Sequence, residues 1–412
     1  MSLTTRLQLS AMMFLQFFIW GAWYGQVTKY MEKSMGATGV QQGAAFATFS
    51  LAMLVAPFFV GMIADRYFAA QRVLGILNLL GAAVLYFLID VRDPDQFFWA
   101  LLVYCITFAP TLALTSSIAM QQMVSPEKEF PGIRVLGTIA WIVVTNIVGY
   151  YGFGDKVAIF ELSMYMSVAL GVFSFFLPNT PPKATGRASV SQILGLDAFQ
   201  LFKDRSFAVF FLSSVLICIP LSFYYAMANS ALTDSGMKNV ENVMSLGQAS
   251  EVIFMLLIPF AFTRFGVKKM LIIGLVAWIV RFLFFGYGNA DSGIWMFYLA
   301  IILHGICYDF FFVTGQIYTD QKADDSIRSS AQGLISLATY GIGMSIGSYL
   351  AGYVKDWAKT PTGIDYTTFW MVPAAIAAVV LLLFVFLFTD KKTVQPKESE
   401  LTGLRGLSST AS

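Results

Sequence analysis

The chain has 412 residues, 57% hydrophobic and only 12% charged, with mean hydropathy +0.69, whereas a soluble protein carries about a quarter charged residues. A formal net charge of +2 is too small to point to a nucleic-acid partner. The three cysteines (Cys105, Cys218, Cys307) have no metal-ligand spacing, and the single histidine, His304, excludes a multi-histidine metal centre. These values indicate an all-α, polytopic membrane protein embedded in a lipid bilayer, for which no metal and no cofactor is expected.

One arginine precedes the first apolar run and no small-residue cleavage site follows it, so this run reads as a retained first helix, not a signal peptide. A helix needs roughly 20 apolar residues to span a bilayer. On that basis twelve transmembrane helices are expected at 8–31, 43–63, 72–89, 97–122, 132–152, 157–178, 207–231, 245–263, 268–287, 294–319, 329–353 and 367–389. The long polar stretch "NTPPKATGRASVSQILGLDAFQLFKDRS" falls between the sixth and seventh. The expected organisation is therefore a six-helix half (1–178), a cytoplasmic linker loop (179–206), a second six-helix half (207–389) and a disordered cytoplasmic tail (390–412). With the N-terminus inside, 18 Lys and Arg fall in cytoplasmic segments against 7 outside. The positive-inside rule then places both termini in the cytoplasm.

A faint repeat supports the six-plus-six reading. "GMIADRYFAAQR" joins the second and third spans, and "FTRFGVKK" joins the eighth and ninth half a chain later; "GIR" before the fifth echoes "SIR" before the eleventh. Two parallel six-helix halves with a long middle loop describe the major facilitator fold, whose substrate site lies between the halves near the midplane. Gly61, Asp65 and Arg66 resemble the cytoplasmic loop motif of that superfamily, although the second glycine is replaced by Ala69 or Ala70. They are expected to steady one conformation.

Ionisable groups inside apolar segments cost roughly 2.5–3.5 kcal/mol each on insertion scales and usually face a cavity or a partner. Four such groups stand well inside spans: Glu251, Arg281, His304 and Asp309. Arg134, Thr138 and Trp141, spaced four and seven, share one helix face; Gln248 and Glu251 share another; Asp309, Phe312 and Gln316 form a stripe beside His304 and Tyr308. Hydrogen-bonding groups beside aromatic rings suit a polar, ring-bearing solute. Arg281 is expected to be structural, neutralising a carboxylate; His304 reads equally as a packed ring or a ligand. Were Glu251 and Asp309 both paired with Arg281, one charge would be left over. Burial disfavours a charged carboxyl, so Asp309 or Glu251 is the candidate carrier of a coupling proton. No nucleophile-and-base arrangement, phosphate loop or extramembrane domain supports an enzyme.

At these residues the chain resembles the bacterial nucleoside:proton symporter family of the major facilitator superfamily. The matching stretches include "FLQFFIWGAWYGQVTKYM", "FPGIRVLGTIAW", "LGLDAFQLFK", "GQASEVIFMLLIPFAFTRFGVKK", "AWIVRFLFFGYG", "YDFF" and "IRSSAQG", running in order along nearly the whole chain. The resemblance implies a permease that imports nucleosides with protons across the bacterial inner membrane, and a monomer is expected. It also implies that Arg134, Thr138, Gln248, Glu251 and Asp309 occupy binding-site positions, with Trp141 and Tyr308 where the family has phenylalanine. The chain departs from the family pattern at Ser222 and Tyr225, where amides are expected, and at His304, where a tyrosine is expected. These departures leave open a nucleobase, a modified nucleoside or a sugar derivative as substrate, or a sensor that does not transport.

Overall fold

The structure, a computed structural model, describes residues 1–66, 68–124, 126–182, 196–324 and 327–389, with side chains at all of these except 56–66, 126–128, 131, 196 and 328–329. The side chains of Gly61, Asp65 and Arg66, most of the linker loop and the tail from 390 therefore lie outside the described residues.

The chain is built from fourteen α-helical segments among the described residues. They are α1 (Leu3–Trp23), α2 (Val27–Met35), α3 (Gly39–Arg66), α4 (Ala70–Leu88), α5 (Pro94–Gln121), α6 (Pro126–Tyr150), α7 (Ala158–Ser174), α8 (Arg205–Asp234), α9 (Val240–Tyr287), α10 (Ile294–Tyr308), α11 (Thr314–Lys322), α12 (Arg328–Ser336), α13 (Met344–Trp357) and α14 (Tyr366–Leu387). Leu196–Lys203 forms a 3-10 helix, and Lys359–Thr360 pairs antiparallel with Gly363–Ile364 in a two-residue hairpin that sequence reading did not anticipate. Eight helices among the described residues are long and apolar enough to cross a bilayer.

Helix starts follow local chemistry. Asp93 caps α5 by accepting from the Gln96 N–H, with Pro94 at the first helical position. Asp204 caps α8 by accepting from Ser206 and Phe207, and Asp365 caps α14 by accepting from Thr368. Each satisfies donors that the first helical turn leaves without a partner.

Three departures from the expected spans have physical causes. The first expected span breaks at Tyr24–Gln26, so α1 ends at Trp23 and the amphipathic α2 leads away from it. The eighth and ninth spans follow one another without a loop, but the helix is broken at Gly266, whose φ of 70° is left-handed. Straight, the 48 residues of α9 would run roughly 72 Å, more than twice the bilayer core. Instead the chain doubles back, because Ser250 and Arg281, on either side of Gly266, both bond to the short helix α10. A residue with a Cβ resists that φ. The tenth and eleventh spans each contain a π-helical stretch, Asp309–Val313 and Leu337–Gly343, rather than uniform α-helix.

Helices before residue 175 pack chiefly on one another: α1 on α6 and α7, α3 on α5, α4 on α5 and α7. Those after 205 do likewise: α8 on α13 and α14, α9 on α10 and α14. The two groups meet through α3 against α13, α6 against α9 and α2 against α8. The α3–α13 contact is backbone on backbone, since a Cβ on Gly43 would collide with the Ser348 carbonyl and one on Gly352 with that of Gly39. Small residues permit such close approach where both partners are apolar and lipid offers no hydrophobic contrast.

Candidate functional site

Between the two helix groups lies a cavity of about 110 Å³. Helix α1 contributes Phe17, Trp20 and Tyr24, spaced three and four so that all three rings fall on one face. Helix α6 contributes Arg134, Gly137, Thr138 and Trp141 by the same spacing. Tyr225 of α8, Gln248 and Glu251 of α9, Tyr308 of α10, Tyr340 of the second π-helical stretch and Met344 of α13 complete the wall.

The rings support one another. Trp20 meets Trp141 edge-on with centroids 5.2 Å apart, and lies 4.9 Å from Phe49 behind it. Tyr24 and Tyr225, from opposite groups, are 6.1 Å apart. The Tyr308 and Tyr340 hydroxyls are hydrogen-bonded to each other. The Arg134 guanidinium lies 4.1 Å from the centroid of the Phe17 ring, which holds it by cation–π attraction. Arg134 and Glu251 thus both face the cavity, with no direct hydrogen bond between them.

Of the sequence-derived candidates, Arg134, Thr138, Trp141, Tyr225, Gln248, Glu251 and Tyr308 are brought together around this cavity. Three are not among its lining residues. Ser222 is buried with its hydroxyl donating to the Cys218 and Met344 carbonyls, so it fastens α8 to α13. His304 is 0% exposed and stands behind Tyr225, with Nε2 3.5 Å from the Tyr225 Oη. Asp309 is also 0% exposed; it opens the first π-helical stretch, and neither carboxyl oxygen has a hydrogen-bond partner. A burial this complete without a partner is costly for a polar group.

Arg281 requires a correction. The sequence suggested a carboxylate partner, but the fully buried guanidinium has none. Its Nε donates to the Ala300 carbonyl (2.7 Å), its Nη1 lies 2.9 Å from His304 Nδ1, and it sits over the Tyr224 ring at 3.5 Å with Trp278 and Phe285 nearby. Ring faces and three neutral acceptors, the Ala300 carbonyl, His304 Nδ1 and Cys307 Sγ, replace the expected anion.

Sequence reasoning missed Phe17, Trp20, Tyr24, Tyr340 and Met344. The α1 triplet carried a readable signal, three aromatics at helical spacing. Tyr340 did not, because the π-helical turn around it breaks the α periodicity.

A second cavity of about 30 Å³ shares Trp141, Tyr225 and Gln248 with the first and extends to Gln26, Asn229 and Glu241. Beyond it the two helix groups are tied by charge. Lys29 pairs with Glu241 at 2.6 Å, Lys33 with Asp234 at 3.0 Å, and Lys355 with Glu32 at 2.8 Å. Asp356 accepts from the Gly39 and Val40 N–H groups, and Asn242 bonds to Asn146.

Comparison with known proteins agrees with this architecture. A family model described as Nucleoside H+ symporter matches residues 1–393. Escherichia coli YegT is 40% identical over 97% of this chain and 96% of its own length. The xanthosine permease of the same organism is 34% identical, covering 93% of this chain and 95% of itself. The crystal structure of the nucleoside transporter NupG superimposes with a TM-score of 0.86 at 30% identity, covering 94% of this chain and 100% of that one. A multi-pass helical protein with a polar, ring-lined cavity between two helix groups, matched along almost its entire length, belongs to the nucleoside H+ symporter family of permeases and is a transporter, not an enzyme.

Proposed function

We propose that the protein imports nucleosides with protons across a bacterial inner membrane by alternating access. In this reading the chain has twelve spans in the major facilitator arrangement. Two six-helix halves, 1–178 and 207–389, rock about the central cavity, the 179–206 loop joins them, and both termini are cytoplasmic. A monomer holds the complete site.

The cavity is the observation that carries the proposal. It is lined from both helix groups, as a site that both halves share requires. Its wall combines indole and phenol faces for a base with amide, hydroxyl and charged groups for edges and ribose. Trp20, Trp141 and Tyr308 are suited to stacking; Arg134, Thr138, Gln248 and Glu251 supply hydrogen bonds. The three charge pairs beyond the second cavity tie the two halves together on the proposed extracellular side.

Glu251 is the carboxyl with access to both cavity and substrate, and Arg134 is the cation that faces it. A proton taken up by Glu251 would free Arg134 to engage the substrate, and its release inward would restore the opposition of charges. Asp309, behind the wall without a hydrogen-bond partner, is the second carrier in this scheme: a buried carboxyl is tolerated far more easily neutral than charged. The test is uptake of radiolabelled uridine and adenosine by proteoliposomes with and without an inward proton gradient. Accumulation only with the gradient is expected; accumulation that persists after the gradient is collapsed would reject proton coupling, and no uptake would reject the nucleoside assignment.

A further inference from the structure

Arg281 and His304 take no part in the wall of the cavity, yet they are fully buried and bonded to each other directly behind it. A guanidinium has five N–H donors and no acceptor. The 2.9 Å contact between Arg281 Nη1 and His304 Nδ1 is therefore a hydrogen bond only if Nδ1 offers a lone pair. An imidazolium would set N–H against N–H beside an existing cation. The ring is consequently neutral with its proton on Nε2, and no competing acid or base intervenes: the groups facing His304 are the Tyr224, Tyr225 and Tyr308 rings and Cys307, whose thiol donates to the His304 carbonyl. Nε2 in turn approaches the Tyr225 Oη at 3.5 Å. With Nε2–H donating, the Tyr225 oxygen accepts and its own hydrogen is turned away from His304. Tyr225 lines the cavity, so that hydrogen is presented there.

We propose that Tyr225 selects nucleosides with an oxo group over those with an amino group at one position of the base edge, its hydroxyl polarised by the one-way chain Arg281 to His304 to Tyr225. The inference rests on the nucleoside-transport reading and adds which feature of the base is read. A tyrosine hydroxyl left to itself donates or accepts with equal ease and does not discriminate. One whose lone pair is already engaged favours an oxo group over an amino group at the same position. The aromatic cage around Arg281 has a role in this scheme. With ring faces and not a carboxylate as neighbours, the guanidinium keeps its donor for His304.

The experiment is competition against labelled uridine uptake in proteoliposomes, using two pairs in which an oxo group beside a ring N–H is exchanged for an amino group beside a bare ring nitrogen: uridine against cytidine, and inosine against adenosine. The parent is expected to favour the oxo member of at least one pair by about 5- to 30-fold, the span of one hydrogen bond made or left unmade. Tyr225→Phe, which removes a single hydroxyl, is expected to bring that ratio to within about 2-fold. His304→Leu should do the same, whereas His304→Gln, whose amide both accepts and donates, should retain the preference. If His304→Leu fails to fold, Tyr225→Phe decides alone. A parent without preference, or a preference that survives in Tyr225→Phe, overturns the inference. A parent that moves no nucleoside overturns the functional reading itself, and that is seen before any variant is compared.

Discussion

Lys29 Nζ lies 2.6 Å from Glu241 Oε1, with side chains only 11% and 8% exposed, so a nearly dry ion pair joins α2 to the start of α9. Glu241 also lines the smaller cavity that shares its wall with the central one. In the proposed topology the pair sits where an outward path would have to open. Breaking a buried pair by removing one partner leaves the other charge unpaired, which weighs against the closed state.

Loosening this clamp should expose the smaller cavity. A cysteine introduced as Asn229→Cys, in a background freed of the three native cysteines, is expected to react with an impermeant maleimide about tenfold faster when Lys29→Gln is added, a shift of ~1.4 kcal/mol in the opening equilibrium. An unchanged rate would show that the pair is incidental to closure.

The two carboxyls should separate functionally. Glu251→Gln is expected to abolish gradient-driven accumulation, a loss of at least about tenfold in the steady-state ratio, while exchange of internal for external nucleoside continues. Asp309→Asn should also abolish accumulation, but with little change in substrate affinity, since Asp309 is not in the wall of the cavity. Concentrative uptake at the parental level in either variant removes that residue from the coupling scheme.

Arg134→Lys preserves the charge and loses the planar guanidinium that rests on Phe17. Arginine and lysine are not equivalent at stacked sites. An increase of about tenfold in KM is expected, matching the ~1–1.5 kcal/mol of a stacked cation. A KM equal to that of the parent would mean that the guanidinium plane is not used.

On the cytoplasmic side of the proposed topology, Asp204 caps α8 and pairs with Lys322 at 2.6 Å. Partial burial alone would raise its carboxyl, but the Lys322 ammonium and the Ser206 and Phe207 N–H groups outweigh this and hold it below the usual carboxylate range. A depressed folded-state value means stability that is fully present above the unfolded value, about 3.9, and lost as pH falls through the folded one. Asp204→Ala should therefore cost ~1 kcal/mol in detergent unfolding at pH 7. The deficit should shrink below about pH 4; one that stayed constant with pH would point to lost packing instead of the lost cap.

Much of the cavity wall was legible in the sequence because helix periodicity is strict. Arg134, Thr138 and Trp141 had to share a face once α6 formed, and Gln248 with Glu251 likewise. Asp309 was legible as an anomaly but not in its placement. The stripe it was expected to form assumed α geometry, and the π-helical stretch that begins at Asp309 rotates everything after it. Ser222 was aligned to a cavity position, yet its hydroxyl is taken by the Met344 carbonyl, a contact between spans more than a hundred residues apart in sequence. The partner of Arg281 could not be read for a related reason. A sequence shows which anions exist, but not that aromatic rings will surround a cation first.

The π-helical stretches have a consequence for how this protein can change over generations. Each accommodates a surplus residue in a single wide turn, at Asp309–Val313 and Leu337–Gly343. Deleting one residue there would return the span to plain α-helix and leave the flanking segments facing as they do now. A deletion anywhere else in residues 294–322 would swing every later side chain by about 100°. Loss of a residue is thus tolerated beside Asp309 and Tyr340 and hardly elsewhere in these spans, which lets the cavity be recut by deletion as well as by substitution.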